Sequence, residues 1–104
     1  DTRAGLSAAD GEYLPIVKVA PVYPRRALSR GIEGWVLLRF TVTENGSVIN
    51  PEVIDAEPSG VFDRAAMAAV ERFKYKPRVV DGVAQVVHGV EHLITFELEQ
   101  EGGR

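Results

Sequence analysis

Hydrophobic and polar residues alternate most clearly over residues 35–43. A period of two is typical of a strand with one buried face. The wholly apolar side of this alternation consists of Val36, Leu38, Phe40 and Val42. The pattern therefore predicts a strand here, with these four side chains facing the core.

A second strand is predicted over residues 48–56, joined to the first by a turn at residues 44–47. The dipeptide Asn45-Gly46 at the centre of this turn favours a hairpin with a type I′ geometry, since both residue types tolerate positive φ. Pro51 lies inside the second strand and has no N–H to donate. We therefore expect this strand to lie at an edge of the sheet or to carry a bulge.

A short helix is predicted over residues 24–30. Pro24 suits the first position of a helix, and Gly31 provides a stop after the last turn. Such a short helix depends on packing rather than on its own propensity. Ala27 and Leu28 are the residues that we expect it to bury.

A longer helix is predicted from Phe62 to near Tyr75, where the residue before Pro77 is pushed out of helical geometry. Its apolar residues recur at the spacing of one helix face. They are Phe62, Ala65, Ala66, Ala69, Val70 and Phe73.

The last apolar segment, residues 83–98, follows a turn signal at Asp81-Gly82 and has the pattern of one long strand with a bulge at Gly89. The order along the chain is thus helix, strand, strand, helix, strand. It predicts an α+β fold in which two helices pack on one face of a small three-stranded antiparallel sheet.

The 104 residues suffice for one domain. We assign residues 14–98 to it, residues 1–13 to a flexible N-terminal linker and residues 99–104 to a flexible tail. The sequence does not begin with Met, so we expect it to be a piece of a longer protein. No run approaches the roughly 18 to 20 apolar residues of a membrane helix.

Composition excludes several classes of function. The net charge of −3 lacks the basic excess of a nucleic-acid-binding surface. The absence of cysteine excludes disulfides, thiolate zinc sites and thiol nucleophiles. Neither a nucleophile elbow nor a glycine-rich phosphate loop is present. We therefore predict that this domain is not an enzyme and binds no cofactor.

Two weaker signals have ordinary structural interpretations. His88 and His92 would share one face of a regular strand and could bind a metal, but a bulge at Gly89 would break that register. We therefore predict no metal site. A basic series over residues 72–78 alternates with aromatic residues, which is typical of a chain segment whose aromatic side chains are buried and whose charges are solvated.

The free edge of the last strand is the strongest candidate site. A sheet edge exposes unpaired backbone groups, and residues 86–97 contain neither the Pro nor the Lys that usually protect one. Such an edge could accept an extended peptide as an added strand. Two alternatives remain open: the N-terminal segment around residues 14–19 covers the edge, or a second copy of the chain pairs with it in a homodimer.

Several motifs, in order and at compatible spacing, resemble those of TonB C-terminal domains over about residues 15–98. They are PVYP at residues 21–24, GIEGWV at 31–36, NGSV at 45–48, FKYKP at 73–77 and ITFEL at 94–98. Phe73 stands where many members of the family have Trp, which preserves an aromatic residue at that position.

The resemblance implies a periplasmic domain of a Gram-negative energy transducer anchored in the inner membrane. The missing N-terminal part of such a protein would engage the ExbB–ExbD complex. The domain itself would bind the TonB box, an extended segment of outer-membrane receptors for iron chelates, haem or cobalamin. The alternative is an envelope tether similar to TolA, or a sensor module, that does not act on receptors.

The same resemblance implies which residues contact the receptor. The strand that pairs with the TonB box would comprise Val90, Glu91, His92, Leu93, Ile94, Thr95, Phe96 and Glu97. A second set of contacts would come from Lys18, Ala20, Pro21 and Arg26. Ala20 replaces a polar residue of well-studied members, so the resemblance does not extend to a polar side-chain contact there.

Overall fold

A three-stranded antiparallel sheet and two short helices organise the fold of residues 15–99, the part of the chain that the structure, a computed structural model, describes. The predicted linker and all of the predicted tail except Glu99 lie outside this part. In chain order the elements are β1 (Pro15–Val17), α1 (Arg25–Arg30), β2 (Gly34–Val42), β3 (Val48–Glu57), α2 (Asp63–Val70), β4 (Lys74–Tyr75), β5 (Arg78–Val80), β6 (Val83–Gln85) and β7 (Val87–Phe96). The predicted α+β class is confirmed.

The main sheet has the strand order β3-β2-β7, so β2 is its central strand. The four side chains of β2 predicted to face the core are all buried: Val36, Leu38, Phe40 and Val42. They pack with α1, α2 and β7 in one hydrophobic core. The period-two pattern therefore predicted both the strand and its buried face correctly. Burial of a whole face also fixes the register of β2, because a shift by one residue would expose every core side chain.

The turn between β2 and β3 differs from the predicted type I′ geometry. Gly46 has a φ of 88°, whereas Asn45 is not in the positive-φ region. The N–H of Gly46 donates to the carbonyl of Thr43 at 2.9 Å, and the N–H of Thr43 donates to Ser47 at 2.8 Å, which closes a three-residue loop. Three-residue hairpin loops commonly place a left-handed residue at their last position, which Gly46 occupies here. The N–H of Tyr75 donates to the Gly46 carbonyl at 2.9 Å.

A turn with two consecutive positive φ values occurs instead between β5 and β6. There Asp81 and Gly82 have φ of 52° and 79° and join Val80 to Val83 in register. This combination is the type I′ signature. The sequence identified this turn but not its geometry or the two short strands around it.

β3 lies at an edge of the sheet and is also irregular near Pro51. Its pairing with β2 shifts register between Arg39 and Thr41, opposite the segment that contains Asn50, whose φ is 55°. Both parts of the prediction for Pro51 are confirmed.

Helix α1 buries Ala27, which is 2% exposed, but Leu28 is 53% exposed, so the predicted buried pair is only half right. A helix of six residues presents only a narrow stripe to the core. Ile32, just after the helix, supplies the additional packing. Its N–H donates to the Ala27 carbonyl at 2.9 Å, beyond the left-handed Gly31.

Helix α2 ends at Val70, earlier than predicted. The N–H groups of Arg72 and Phe73 donate to carbonyls three residues earlier, which tightens the last turn. The following residues, Lys74 and Tyr75, then leave the helix to pair with β1. The predicted inner face is correct apart from Ala65, which is only partly buried; the buried members are Phe62, Ala66, Ala69, Val70 and Phe73.

The C-terminal segment forms two strands, β6 and β7, rather than one. The predicted bulge at Gly89 is confirmed: its φ is 71°, and the pairing of β7 with β2 shifts register there. Phe40 is opposite Val90, whereas Val42 is opposite Val87, so two residues of β7 face one of β2.

Gly34 provides a test of how closely the start of β2 packs. A Cβ at this position would lie 2.0 Å from the Glu57 carbonyl oxygen and 2.9 Å from the Phe62 ring. We expect Gly34→Ala to lower the free energy of unfolding by about 3 kcal/mol, at the upper end of the usual range for overpacking. Urea denaturation followed by circular dichroism measures this loss.

Gly82→Ala is the matched control. A Cβ at Gly82 meets nothing within 4 Å, so only its positive φ opposes alanine. We expect a loss of about 1 kcal/mol there. Equal losses in the two variants would contradict the close approach at Gly34.

Candidate partner-binding edge

One side of β7 is free of strand partners within residues 15–99. Its other side pairs with β2. The N-terminal strand β1 does not cover the free side, because it pairs with β4, with Pro15 opposite Tyr75. Residues 15–17 therefore do not act as the covering segment that the sequence left open. Leu14, the first residue of that predicted segment, lies outside the described residues.

The free side is regular from Val90 to Phe96. Over this stretch the register with β2 runs without a shift from Phe40 opposite Val90 to Gly34 opposite Phe96. Just beyond the strand, the N–H of Leu98 donates to Glu33 Oε2 at 2.7 Å. The strand itself ends at Phe96, so Glu97 lies just outside the strand that was predicted to include it.

The predicted pairing residues divide between the two faces of the sheet. Val90, Ile94 and Phe96 are buried in the core, so their side chains are not accessible to a partner and only their backbone is. On the opposite, open face, Leu93 is half-buried opposite Leu37, and Glu91 is opposite Arg39.

The described residues contain one salt bridge, between Arg39 and Glu91. Arg39 Nη2 lies 3.0 Å from Glu91 Oε2, on partly exposed side chains of the open face. Because Arg39 neutralises Glu91, this part of the edge does not present an unpaired charge. The pair is a surface contact of modest energy.

A cleft runs between β7 and the segment that precedes Tyr23. Its volume is about 360 Å³, and we call it the edge cleft. Its lining residues are Lys18, Val19, Ala20, Pro21, Phe73, His92, Leu93, Ile94 and Thr95. Three of the four predicted secondary contacts thus lie beside the predicted pairing strand. The fourth, Arg26, is exposed on α1 and does not line the cleft.

Val19 and Phe73 line the cleft but were not predicted as site residues. The signal for Phe73 was its periodicity on the inner helix face, which indicates burial and says nothing about a cleft. The wall formed by residues 18–21 follows from the pairing of β1 with β4, a long-range contact that no local pattern encodes.

His92 is half-buried at the inner side of the edge cleft. Its ring makes an edge-to-face contact with Phe73, with centroids 5.0 Å apart. Burial lowers the pKa of His92 from 6.5 to about 4, and the positive charge of Lys18 acts in the same direction. The imidazole is therefore neutral at pH 7, and among residues 15–99 Lys18 is the only charged residue that lines the cleft.

His88 and His92 lie on opposite faces of the sheet. His88 Nδ1 is 3.2 Å from Thr41 Oγ1 on the open face, whereas His92 is opposite the buried Leu38. The bulge at Gly89 produces this separation. Among residues 15–99, no group of three potential metal ligands occurs.

Three aromatic rings anchor both walls of the edge cleft. Phe62 and Phe96 stack with centroids 4.3 Å apart, and Tyr23 makes edge-to-face contacts with both, at 5.6 and 5.8 Å. The Tyr23 hydroxyl donates to the carbonyl of Ile32. The end of β7 and the end of the 18–21 wall are thereby held against the start of α2.

Neither helix in residues 15–99 is long and apolar enough to cross a membrane.

Comparison with known proteins gives a consistent result. Residues 19–98 match the family model of the Gram-negative bacterial TonB protein C-terminal region. The chain is similar to Protein TonB of Pseudomonas aeruginosa, with 40% identity over 90% of this chain and 27% of that protein. It is also similar to Protein TonB of Vibrio cholerae, with 33% identity over 86% of this chain and 36% of that protein. The chain thus spans about a quarter to a third of the length of these curated relatives.

Two solved structures share the fold. The solution structure of the TonB C-terminal domain of Pseudomonas aeruginosa has a TM-score of 0.66 and 35% identity, covering 86% of this chain and 89% of that one. A structure of the TonB2 protein of Vibrio anguillarum has a TM-score of 0.63 and 41% identity, covering 84% and 82%.

The position of His92 predicts a pH dependence of stability. Between pH 6.5 and 4 the unfolded chain binds a proton that the folded chain does not, so the free energy of unfolding falls as the pH falls through this window. Because His92 is partly solvated, we expect a loss of about 2 kcal/mol rather than the full value of the shift. Urea denaturation at several pH values measures it.

His92→Gln should flatten this part of the pH profile. His88→Gln is the matched control, since it removes a histidine from the exposed face of the same strand, and it should leave the dependence intact. If both variants retained the wild-type profile, His92 would not be its source.

Proposed function

The chain belongs to the Gram-negative bacterial TonB protein C-terminal family, and from this premise we propose that it is the receptor-binding domain of a TonB-type energy transducer. In this role the domain binds the TonB box of outer-membrane receptors, which adds as an extended strand to the free side of β7. Family membership supports a role in transduction rather than in catalysis.

The proposal extends to the parts of the protein beyond this chain. A preceding segment would anchor the protein in the inner membrane and engage ExbB–ExbD, and the domain would lie in the periplasm. The proton motive force would then act through this domain on the uptake of an iron chelate, haem or cobalamin. Since the chain spans only part of its relatives, these statements rest on the family and not on the fold.

The observation that carries the proposal is the regular, unpaired edge from Val90 to Phe96 beside the edge cleft. An added strand obtains its affinity from main-chain hydrogen bonds and its specificity from alternate side chains. The edge offers backbone groups for the main-chain hydrogen bonds, and the cleft offers apolar surface for the alternate side chains. Lys18, Ala20 and Pro21 line the cleft beside this edge, which supports the proposal of a second set of contacts there.

Binding of this kind should be weak enough to reverse. A six-residue segment would form about six backbone hydrogen bonds, each contributing roughly 0.5–1.5 kcal/mol net. Ordering the segment costs on the order of 1–2 kcal/mol per residue. The two terms nearly cancel, so side-chain contacts decide the affinity, and we expect micromolar dissociation constants.

Strand addition makes a distinctive prediction about the peptide backbone. In an added strand, successive N–H groups point alternately toward and away from β7. Two series of TonB-box peptides are therefore compared, one N-methylated at odd and one at even positions. The series whose methyl groups replace the N–H groups that face β7 should lose binding, and the other should largely retain it. Isothermal titration calorimetry with peptides from Pseudomonas aeruginosa receptors measures both series without altering the protein.

Two protein variants complement the peptides. Leu93→Pro and Ile94→Pro each remove one N–H from β7, and these two N–H groups point to opposite sides of the strand. The variant that lacks the N–H on the free side should lose peptide binding, whereas the variant that lacks the N–H facing β2 should lose a hydrogen bond to β2 and hence stability. Equal affinity of the two N-methylated peptide series would contradict strand addition. Unimpaired peptide binding by both proline variants would also contradict it.

Pairing between two copies of the chain through the same edge is the competing use of β7. Sedimentation velocity over a range of concentrations would detect it. Under the receptor-binding proposal the domain stays monomeric at micromolar concentration. A tether or sensor module similar to TolA would instead fail to bind any of the receptor peptides.

A further inference from the structure

The open face of the sheet carries an apolar patch that reaches the free edge of β7. We define the open-face apolar patch as Trp35, Leu37 and Leu93, all of which are half-buried on the side away from the core. Leu37 is directly opposite Leu93, and Trp35 is opposite Thr95, diagonal to Leu93. No helix is needed to place these residues together, because the strand register does so.

Polar residues adjoin the patch along the sheet and across it at β3. Along the sheet, Arg39 and Glu91 form their ion pair next to Leu37 and Leu93. Across the sheet, Leu37 is opposite Asp55 of β3 on its other side. Three residues thus form one row across the strands: Asp55, Leu37 and Leu93. The row ends in a carboxylate at β3, whereas at β7 it ends in an apolar side chain beside the free edge.

The next position in this row belongs to whatever strand is added to β7. Directly opposed residues of neighbouring strands have Cβ atoms about 4.5–5.5 Å apart on the same face. The guest residue aligned with Leu93 would therefore place its side chain against Leu93, with Leu37 behind it. Its two sequence neighbours would project to the inner side, the side of His92 and Ile94.

We propose that Leu93, supported by Leu37 and Trp35, is a specificity-determining residue that selects an apolar guest side chain at the position aligned with it. This inference rests on the proposed strand addition. A polar guest residue there would lose its hydration next to Leu93 and Leu37, whose side chains offer no hydrogen-bond partner. The residues aligned with Glu91 and Thr95 meet polar side chains and are not subject to this selection.

The register of the guest must be fixed first. The chain has no cysteine, so Thr95→Cys introduces a single thiol on the open face. A receptor peptide from Pseudomonas aeruginosa is then scanned with single cysteines. The position that forms a disulfide fastest lies beside Thr95, and the guest position two residues away lies beside Leu93.

A double-mutant cycle then tests the proposal. The peptide carries either Val or the isosteric Thr at the position aligned with Leu93, and each is titrated into wild-type and Leu93→Thr protein. With wild-type protein we expect the Thr peptide to bind roughly two- to fivefold more weakly, the effect of one cross-strand pair. With Leu93→Thr this discrimination should disappear.

Ile49→Thr is the matched control protein. Ile49 is an exposed aliphatic residue of β3, opposite Thr41 of β2, and it lies at the edge remote from the guest. This variant should discriminate between the peptides as the wild type does. A second comparison, with Ser or Leu at the aligned peptide position, uses only wild-type protein and so does not depend on the folding of any variant.

The possible outcomes separate the two proposals. Loss of discrimination in Leu93→Thr but not in Ile49→Thr supports the inference. Undiminished discrimination in Leu93→Thr, or equal binding of the Val and Thr peptides to the wild type, overturns it while leaving strand addition intact. Failure of every receptor peptide to bind the wild type overturns both.

Discussion

The stacking of Phe62 on Phe96 is the contact on which the candidate site depends. It joins the start of α2 to the end of β7, and Tyr23 packs edge-on against both rings. Aromatic pairs of this geometry add roughly 0.5–1.5 kcal/mol beyond the area that they bury. Because Tyr23 lies two residues after Pro21, the last residue of one wall of the edge cleft, the same cluster constrains both walls. A peptide would therefore meet an edge and a cleft that are already in place.

Local patterns in the sequence were sufficient for the main sheet. The four alternating apolar residues of β2 determine its buried face, and burial of that face determines the register with both neighbours. Gly89 and Pro51 indicated irregular pairing because each has a backbone property that a regular ladder does not accommodate: conformational freedom in one case and a missing N–H in the other. The free edge followed from the same reasoning, since a last strand without protective residues is visible in the sequence.

Contacts between distant segments could not be predicted in this way. β1 pairs with β4, and this pairing both shortens α2 and places residues 18–21 beside β7. The hydrogen bond from the Tyr75 N–H to the Gly46 carbonyl of the hairpin loop is likewise a contact between distant segments. The half-buried environment of His92 arises in the same region, against Phe73 and near Lys18. The edge was thus predictable from the sequence, whereas the cleft beside it required the tertiary structure.

The two edges of the main sheet differ in a way that bears on function. β3 carries two irregularities, an internal proline, a residue with positive φ at Asn50 and several carboxylates, all of which discourage pairing with another chain. β7 is irregular only at Gly89 and then presents seven residues, Val90 to Phe96, in unbroken register. If the open edge of β7 had no function, we would expect it to carry protective features like those of β3. Only β3 carries them. That asymmetry, with the edge cleft and the open-face apolar patch both reaching β7, is what the proposed strand addition requires: one edge that admits a strand and one that discourages it.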